Sequence, residues 1–194
     1  ENMRKGQGTY YTPREIVHYM CQESLINHLN TETKLDAERI RKIKAQVVSM
    51  AIFIDTGDIN EIKKYLGLGI LRGVTTNPTI LLKCGVKGGL KGVKARCQEI
   101  AKLIAPLPLS VELTNNDTGK MIKQAIEFSK WADNINIKVT IHGPNGELDN
   151  LRIIHELETK HDVRVNVTAM MSAQQCFLAA MAGATYVSPF VGRL

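Results

Sequence analysis

Ile135-Asn136-Ile137-Lys138-Val139-Thr140 places a lysine at the centre of a strand-like run whose other positions alternate apolar and polar. Successive side chains of a strand point to opposite faces, so Ile135, Ile137 and Val139 share one face, and Asn136, Lys138 and Thr140 the other. Two more stretches repeat the pattern. Leu109, Val111 and Leu113 oppose Ser110, Glu112 and Thr114, and Val163, Val165 and Val167 oppose Arg164, Asn166 and Thr168. A parallel strand covered by helices on both sides is apolar on both faces. These strands are half polar although helical stretches flank each of them. A barrel resolves the conflict: the apolar face meets an outer ring of helices, and the polar face points into the barrel near its mouth. Exposed antiparallel strands would explain the alternation but not the intervening helices.

Outward from these stretches the chain alternates strand and helix from about Met50 onward. Strands are predicted at 52–55, 73–76, 109–113, 135–139, 163–168 and 186–189, and helices at 59–68, 89–104, 118–131, 148–160 and 173–182. That alternation with short connections implies a parallel α/β sheet, either open or closed as a (β/α)8 barrel, and the polar stripes favour the barrel. Neither G-x-G-x-x-G nor a P-loop occurs, which weakens a nucleotide-binding reading. Residues 1–49 read differently, as a loop followed by two helices. Thr12-Pro13 opens the first, and 34–48 forms a strongly charged second. The domains are therefore a helical appendage over 1–49 and a barrel-like unit over 50–194.

Composition bounds the function. The 194 residues are 44% hydrophobic and 23% charged, an ordinary globular balance, with 5% aromatics. No apolar run approaches the roughly 20 residues that span a bilayer. Cys21, Cys84, Cys97 and Cys176 are far apart and form no C-x-x-C pair, so a reducing, cytoplasmic setting is expected. The five histidines show no metal-ligand spacing, and neither metal nor cofactor is expected. Net charge is +6, a modest surplus that reads chiefly as solvated surface and could also attract phosphorylated substrates or nucleic acid.

The barrel reading gathers Glu112, Lys138, Asn166 and Thr168 in one enclosed space, with Asp55 at the end of the first strand. A lysine enclosed there is costly as a cation, and its neutral amine can attack a carbonyl to form an imine. Cleavage of a carbon–carbon bond beside that imine then needs a carboxylate to move protons. The bland alternative for Lys138 is a buried ion pair with Glu112 or Asp55. For Asp55 it is a helix cap within Asp55-Thr56-Gly57-Asp58.

At these residues the chain resembles the small transaldolase and fructose-6-phosphate aldolase family. The matching stretches are Phe-Ile-Asp-Thr-Gly-Asp (53–58), Gly-Val-Thr-Thr-Asn-Pro-Thr (73–79), Ile-Lys-Val (137–139), Asn-Val-Thr-Ala (166–169) and Ala-Gly-Ala-Thr-Tyr-Val-Ser-Pro-Phe-Val-Gly-Arg (182–193). The resemblance implies a sugar-phosphate enzyme that transfers a dihydroxyacetone unit, with Lys138 as the Schiff-base lysine and Asp55 in proton transfer. Glu112 and Thr168 would hold a catalytic water. Thr76, Asn77 and Asn166 would contact the substrate, and Ser188 and Arg193 its phosphate, arginine suiting a phosphate through its planar fork of donors. Glu112 and Phe190 match the transaldolase pattern, where the family's aldolases carry Gln and Tyr. The resemblance further implies a homo-oligomer, with neither nucleic acid nor membrane as partner of 50–194. Departures are Thr79, where the family has Ser, and the loop around His142, longer than in the shortest members.

A barrel of this type has eight strands, and six are legible. On that count the chain is expected to be C-terminally truncated, with open strand edges, weak stability and little activity. Residues 4–29, led by Arg4-Lys5-Gly6-Gln7-Gly8-Thr9-Tyr10-Tyr11-Thr12-Pro13, resemble the N-terminal part of adenine-specific DNA methyltransferases. The methyltransferase's catalytic motif is absent, so this segment is not expected to methylate. The competing readings are a fructose-6-phosphate aldolase-type lyase of the same family and a fusion, with the whole chain an inactive fragment.

Overall fold

The computed structural model describes residues 53–189. The appendage over 1–49, Phe190 and Arg193 lie outside them.

Six strands alternate with helices in chain order: β1 (Phe53–Asp55), α1 (Ile59–Gly67), β2 (Gly73–Thr75), α2 (Pro78–Lys83), α3 (Gly89–Ile104), β3 (Leu109–Glu112), α4 (Thr118–Ser129), β4 (Ile135–Thr140), α5 (Asp149–Lys160), β5 (Val165–Met170), α6 (Ala173–Met181) and β6 (Tyr186–Pro189). All neighbouring strands pair in parallel, in the order β1-β2-β3-β4-β5-β6. This is a half-barrel of the (β/α)8 type.

Local chemistry sets the helix starts. The Asp58 side chain accepts from the backbone N–H groups of Asn60 and Glu61, Asp117 from Lys120, and Ser172 from Gln175. Each satisfies donors that have no partner inside the helix. Asp58, not Asp55, is therefore the cap of α1, and the cap reading of Asp55 is corrected. Helix α2 was not expected from the sequence. Asn77 caps it through Ile80 N–H at 2.8 Å, and Pro78 occupies the first helical turn. Strand β5 begins at Val165, two residues later than predicted, because Val163 N–H bonds to Leu157 O and closes the end of α5 instead.

Every residue of the alternating stretch 135–139 is buried. The apolar face packs against the helices: Leu109, Val111, Ile137, Val139, Val165 and Val167 join one core with Ile62, Ile100, Phe128, Ile153 and Leu157. The polar face is equally enclosed. Ser110 and Asn136 are 0% exposed, Asn166 3%, Lys138 6% and Thr168 7%.

Two side-chain contacts show how tightly the sheet curls. Asn166 Nδ2 on β5 donates to Ser110 Oγ on β3 at 3.0 Å, reaching across β4. Phe53 on β1 and Tyr186 on β6 meet edge to face with centroids 5.4 Å apart. In a flat sheet, five inter-strand steps of roughly 4.8 Å would hold those strands about 24 Å apart. The polar faces are therefore the concave side. Gly73, registered against Phe53, makes room for the ring: a Cβ there would fall 2.2 Å from a Phe53 ring carbon.

Candidate active site

The register of the central strands positions the polar side chains. Glu112 pairs with Lys138, Lys138 with Asn166, and Thr140 with Thr168. Glu112 and Asn166 therefore stand on the two strands flanking Lys138, level with it. Thr168 lies one same-face step further toward the C-terminal ends of the strands.

Lys138 Nζ lies 3.5 Å from Glu112 Oε2 and donates to Thr76 O at 3.3 Å. The second contact spans from β4 to the residue just beyond β2, again across the concave face. Thr76 is fully buried, and its own N–H donates to Ser110 O at 3.0 Å. Sequence reasoning named Thr76 as a substrate contact. Its backbone role toward the amine had no sequence signal, because a carbonyl is present at every residue.

Asn166 is held at both ends of its amide. Its Nδ2 donates to Ser110 Oγ, and its Oδ1 accepts from Ser188 Oγ at 2.8 Å. Ser188 thus spends its one hydroxyl hydrogen on Asn166, and must rotate before it can donate to a phosphate. Asn77 Oδ1 is likewise committed to the cap of α2, leaving its amide nitrogen for any ligand. Ser110 and Asn136, buried on the same face, were read only as members of polar stripes. Asn136 keeps both amide atoms buried and without a protein partner.

Asp55 is half-buried at the end of β1, registered against Thr75. Thr168 is followed by Ala169 in the left-handed region (φ 61°), where the β5–β6 register shifts. A non-glycine residue there carries backbone strain, and such residues concentrate at functional sites. A cavity of about 150 Å³ adjoins Glu112 and is lined by Thr76, Asn77, Leu81, Val111 and Phe128 among others. Ligand clefts generally start near 300 Å³, so it is too small for a sugar phosphate. Among the described residues no group of three or more acidic, cysteine or histidine side chains could hold a metal ion. No helix among them is long and apolar enough to cross a membrane.

The curled parallel sheet, with a buried lysine beside a half-buried carboxylate on its central strands, defines an incomplete (β/α)8-barrel type protein. Residues 52–194 match the transaldolase/fructose-6-phosphate aldolase family, and the chain belongs to it. It is 44% identical over 145 residues to a probable transaldolase of Dehalococcoides mccartyi, covering 75% of this chain and 62% of that protein. It is 43% identical over the same length to a probable transaldolase of Clostridium tetani, with the same coverage. The chain thus spans about 62% of the length of these relatives. Among solved structures, a mandelate oxidase aligns with a TM-score of 0.43 at 10% identity, over 74% of this chain and 50% of that one. So distant a likeness adds nothing to the fold described above.

Proposed function

We propose that the chain carries transaldolase-type machinery in which Lys138 forms an imine with a keto-sugar phosphate and a dihydroxyacetone unit is transferred to an aldehyde acceptor. The observation that carries this is the amine itself. It is 6% exposed on the concave face, with a carboxylate oxygen 3.5 Å away. Attack of the amine on the keto carbon expels water and leaves an electron-poor C=N. The adjacent carbon–carbon bond can then break, with its electron pair held in the enamine. Asp55 accepts and returns protons, and Glu112 and Thr168 hold the catalytic water. Ser188 and Arg193 bind the phosphate. Glu112 together with Phe190 favours transfer over free aldol cleavage. A homo-oligomer in the reducing cytoplasm belongs to the same proposal.

The Lys138–Glu112 distance also favours a second reading, a purely structural ion pair. Borohydride trapping in the presence of fructose 6-phosphate, followed by peptide mass mapping, separates the two. A reduced sugar adduct on Lys138 is expected in the wild-type chain and none in Lys138→Arg, because a guanidinium stays protonated and cannot attack a carbonyl. An adduct on another lysine would leave only the ion pair, and no adduct at all would leave the ion pair or an inactive fragment.

A further inference from the structure

One stretch of the chain carries a charge that the lysine site does not use. From Ile62 to Gln98 there are eight basic residues and no acidic one. The whole chain has 25 basic and 19 acidic residues, so the remainder has 17 and 19, a net of −2. The surplus of +6 is therefore concentrated in the layer formed by α1, α2 and α3. Within it, the connection from α2 to α3 exposes apolar side chains among the charges. Lys83, Lys87 and Lys91 are exposed, and so are Leu82 at 70% and Leu90 at 51%. The turn that holds them is compact. Gly85, Gly88 and Gly89 have φ of 78°, 89° and 58°, the left-handed region that side chains disfavour. Gly85 N–H and Val86 N–H donate back to Leu82 O and Leu81 O, each at 3.0 Å. Leu81 is buried beneath the turn at 2% exposed, while its neighbour Leu82 stays in solvent.

The residue types choose the partner. A cationic face attracts polyanions, whether nucleic acid or the headgroups of anionic lipid. Nucleic-acid surfaces draw on arginine forks and on rings that stack on bases. Both arginines of this stretch are already engaged. Arg72 donates to Gly69 O and Leu71 O at 3.1 and 3.2 Å. Arg96 donates to Gly57 O at 2.8 Å and pairs with Glu99 at 3.2 Å. No ion pair among the described residues engages Lys83, Lys87 or Lys91. No aromatic residue occurs between Leu66 and Gln98. Leucines standing in water among lysines suit a bilayer instead: the apolar side chains enter the boundary between headgroups and acyl chains, and the ammonium groups stay with the anionic headgroups.

We propose that residues 82–91 dock the chain peripherally on an anionic lipid surface, with Leu82 and Leu90 as the inserting side chains and Lys83, Lys87 and Lys91 as the charges that hold the headgroups. The family resemblance implied no membrane partner for 50–194, and this stretch departs from that expectation. The attachment lies on the bilayer and does not span it, since no described helix is long and apolar enough to cross. It needs none of the chemistry at Lys138.

The test is co-sedimentation of the 194-residue chain with vesicles of phosphatidylcholine alone and of phosphatidylcholine mixed with phosphatidylglycerol, in about 0.15 M salt. Binding is expected to the mixed vesicles and not to phosphatidylcholine. Replacing the three lysines together (Lys83→Gln, Lys87→Gln and Lys91→Gln) should weaken it about a hundredfold, each lysine near an anionic surface being worth roughly fivefold. Leu82→Ser with Leu90→Ser should weaken it about tenfold or more, through lost apolar burial. All five positions are exposed, so both variants should melt as the wild type does. Residues 1–49 are present in every variant, so binding that survives the lysine changes would lie elsewhere in the chain and overturn the proposal. Loss in the lysine variant with full binding in the leucine variant would leave only diffuse charge attraction, and overturns it too. So does equal binding to the two vesicle types, or binding to neither. Mixed-sequence double-stranded DNA is the remaining arm: a chain that binds it and ignores the vesicles has a nucleic-acid face, and the lipid assignment falls.

Discussion

Cys97 in α3 is 0% exposed, and burial pushes its thiol from its ordinary 9.0 up to about 12. The thiolate is the reactive form, so this side chain is chemically inert at neutral pH and serves as a small core hydrophobe. In the native chain, iodoacetamide at about pH 8 should label the half-buried Cys84 well before Cys97, as peptide mapping would show. The pH dependence has a definite sign. The folded state holds this proton more tightly than the unfolded chain does, so the stabilisation is complete below about pH 9 and is lost as pH rises toward 12. Thermal melts of wild type and Cys97→Ala should accordingly converge above about pH 9, and parallel curves would contradict the assignment. At this scale the sequence was informative wherever a residue broke a pattern. Lys138 and Glu112 stood out because polar side chains alternated within apolar strands, and the structure places them 3.5 Å apart. Commitments made by hydrogen bonds were not legible. Nothing in the sequence told that the Asn166 amide is spent on Ser110 and Ser188, or that the His142 ring meets the Gln175 amide.

Helix α3 contains a glycine for which propensity and packing make opposite forecasts. Replacing an interior helical glycine by alanine ordinarily stabilises by about 1 kcal/mol. At Gly92, however, a Cβ would fall 1.8 Å from Lys87 O, a backbone atom that cannot swing away. Forcing atoms into a filled space typically costs about 1–3 kcal/mol, so the clash wins. Gly92→Ala is expected to lower stability by about 1–2 kcal/mol in chemical denaturation. An unchanged or raised midpoint would show that the turn before α3 yields freely. The same helix shows what was legible among elements. Its bounds, Gly89–Ile104, are those the periodicity implied, because sixteen residues of amphipathic pattern leave little freedom. The six-residue α2 escaped notice, since so short a helix has too few turns to show a period. Asn77-Pro78 was nevertheless a usable start signal, a capping side chain followed by proline. The ends of β5 were misplaced for a different reason. Val163 fits the alternation, but its N–H bonds locally to Leu157 O in the turn that ends α5, and the strand extends past Thr168 through a register shift that no periodicity encodes.

Across the whole molecule, curvature turns six parallel strands into a site. Were the sheet flat, Ser110 and Asn166 would stand two strand spacings apart, roughly 9.6 Å, and could not bond. The sequence implied this curvature only indirectly, because enclosing a lysine, two asparagines and a threonine on one face requires that face to be concave. It did not indicate which side chains meet across the interior. Phe53 and Tyr186 do, although their strands stand at opposite ends of the pairing order. Edge-to-face aromatic pairs contribute about 0.5–1.5 kcal/mol beyond the area they bury. A double-mutant cycle of Phe53→Leu and Tyr186→Leu, measured by denaturant unfolding, is therefore expected to return a coupling of about 0.5–1.5 kcal/mol. Residues that are not neighbours usually contribute independently, so strands held apart as in an open sheet would give additive effects. The single Tyr186→Leu change should also weaken fructose 6-phosphate trapping at Lys138 less than Lys138→Arg does, because it loosens the curl without removing the amine. Additivity within experimental error, with trapping untouched, would mean that this ring contact does not hold the concave face together.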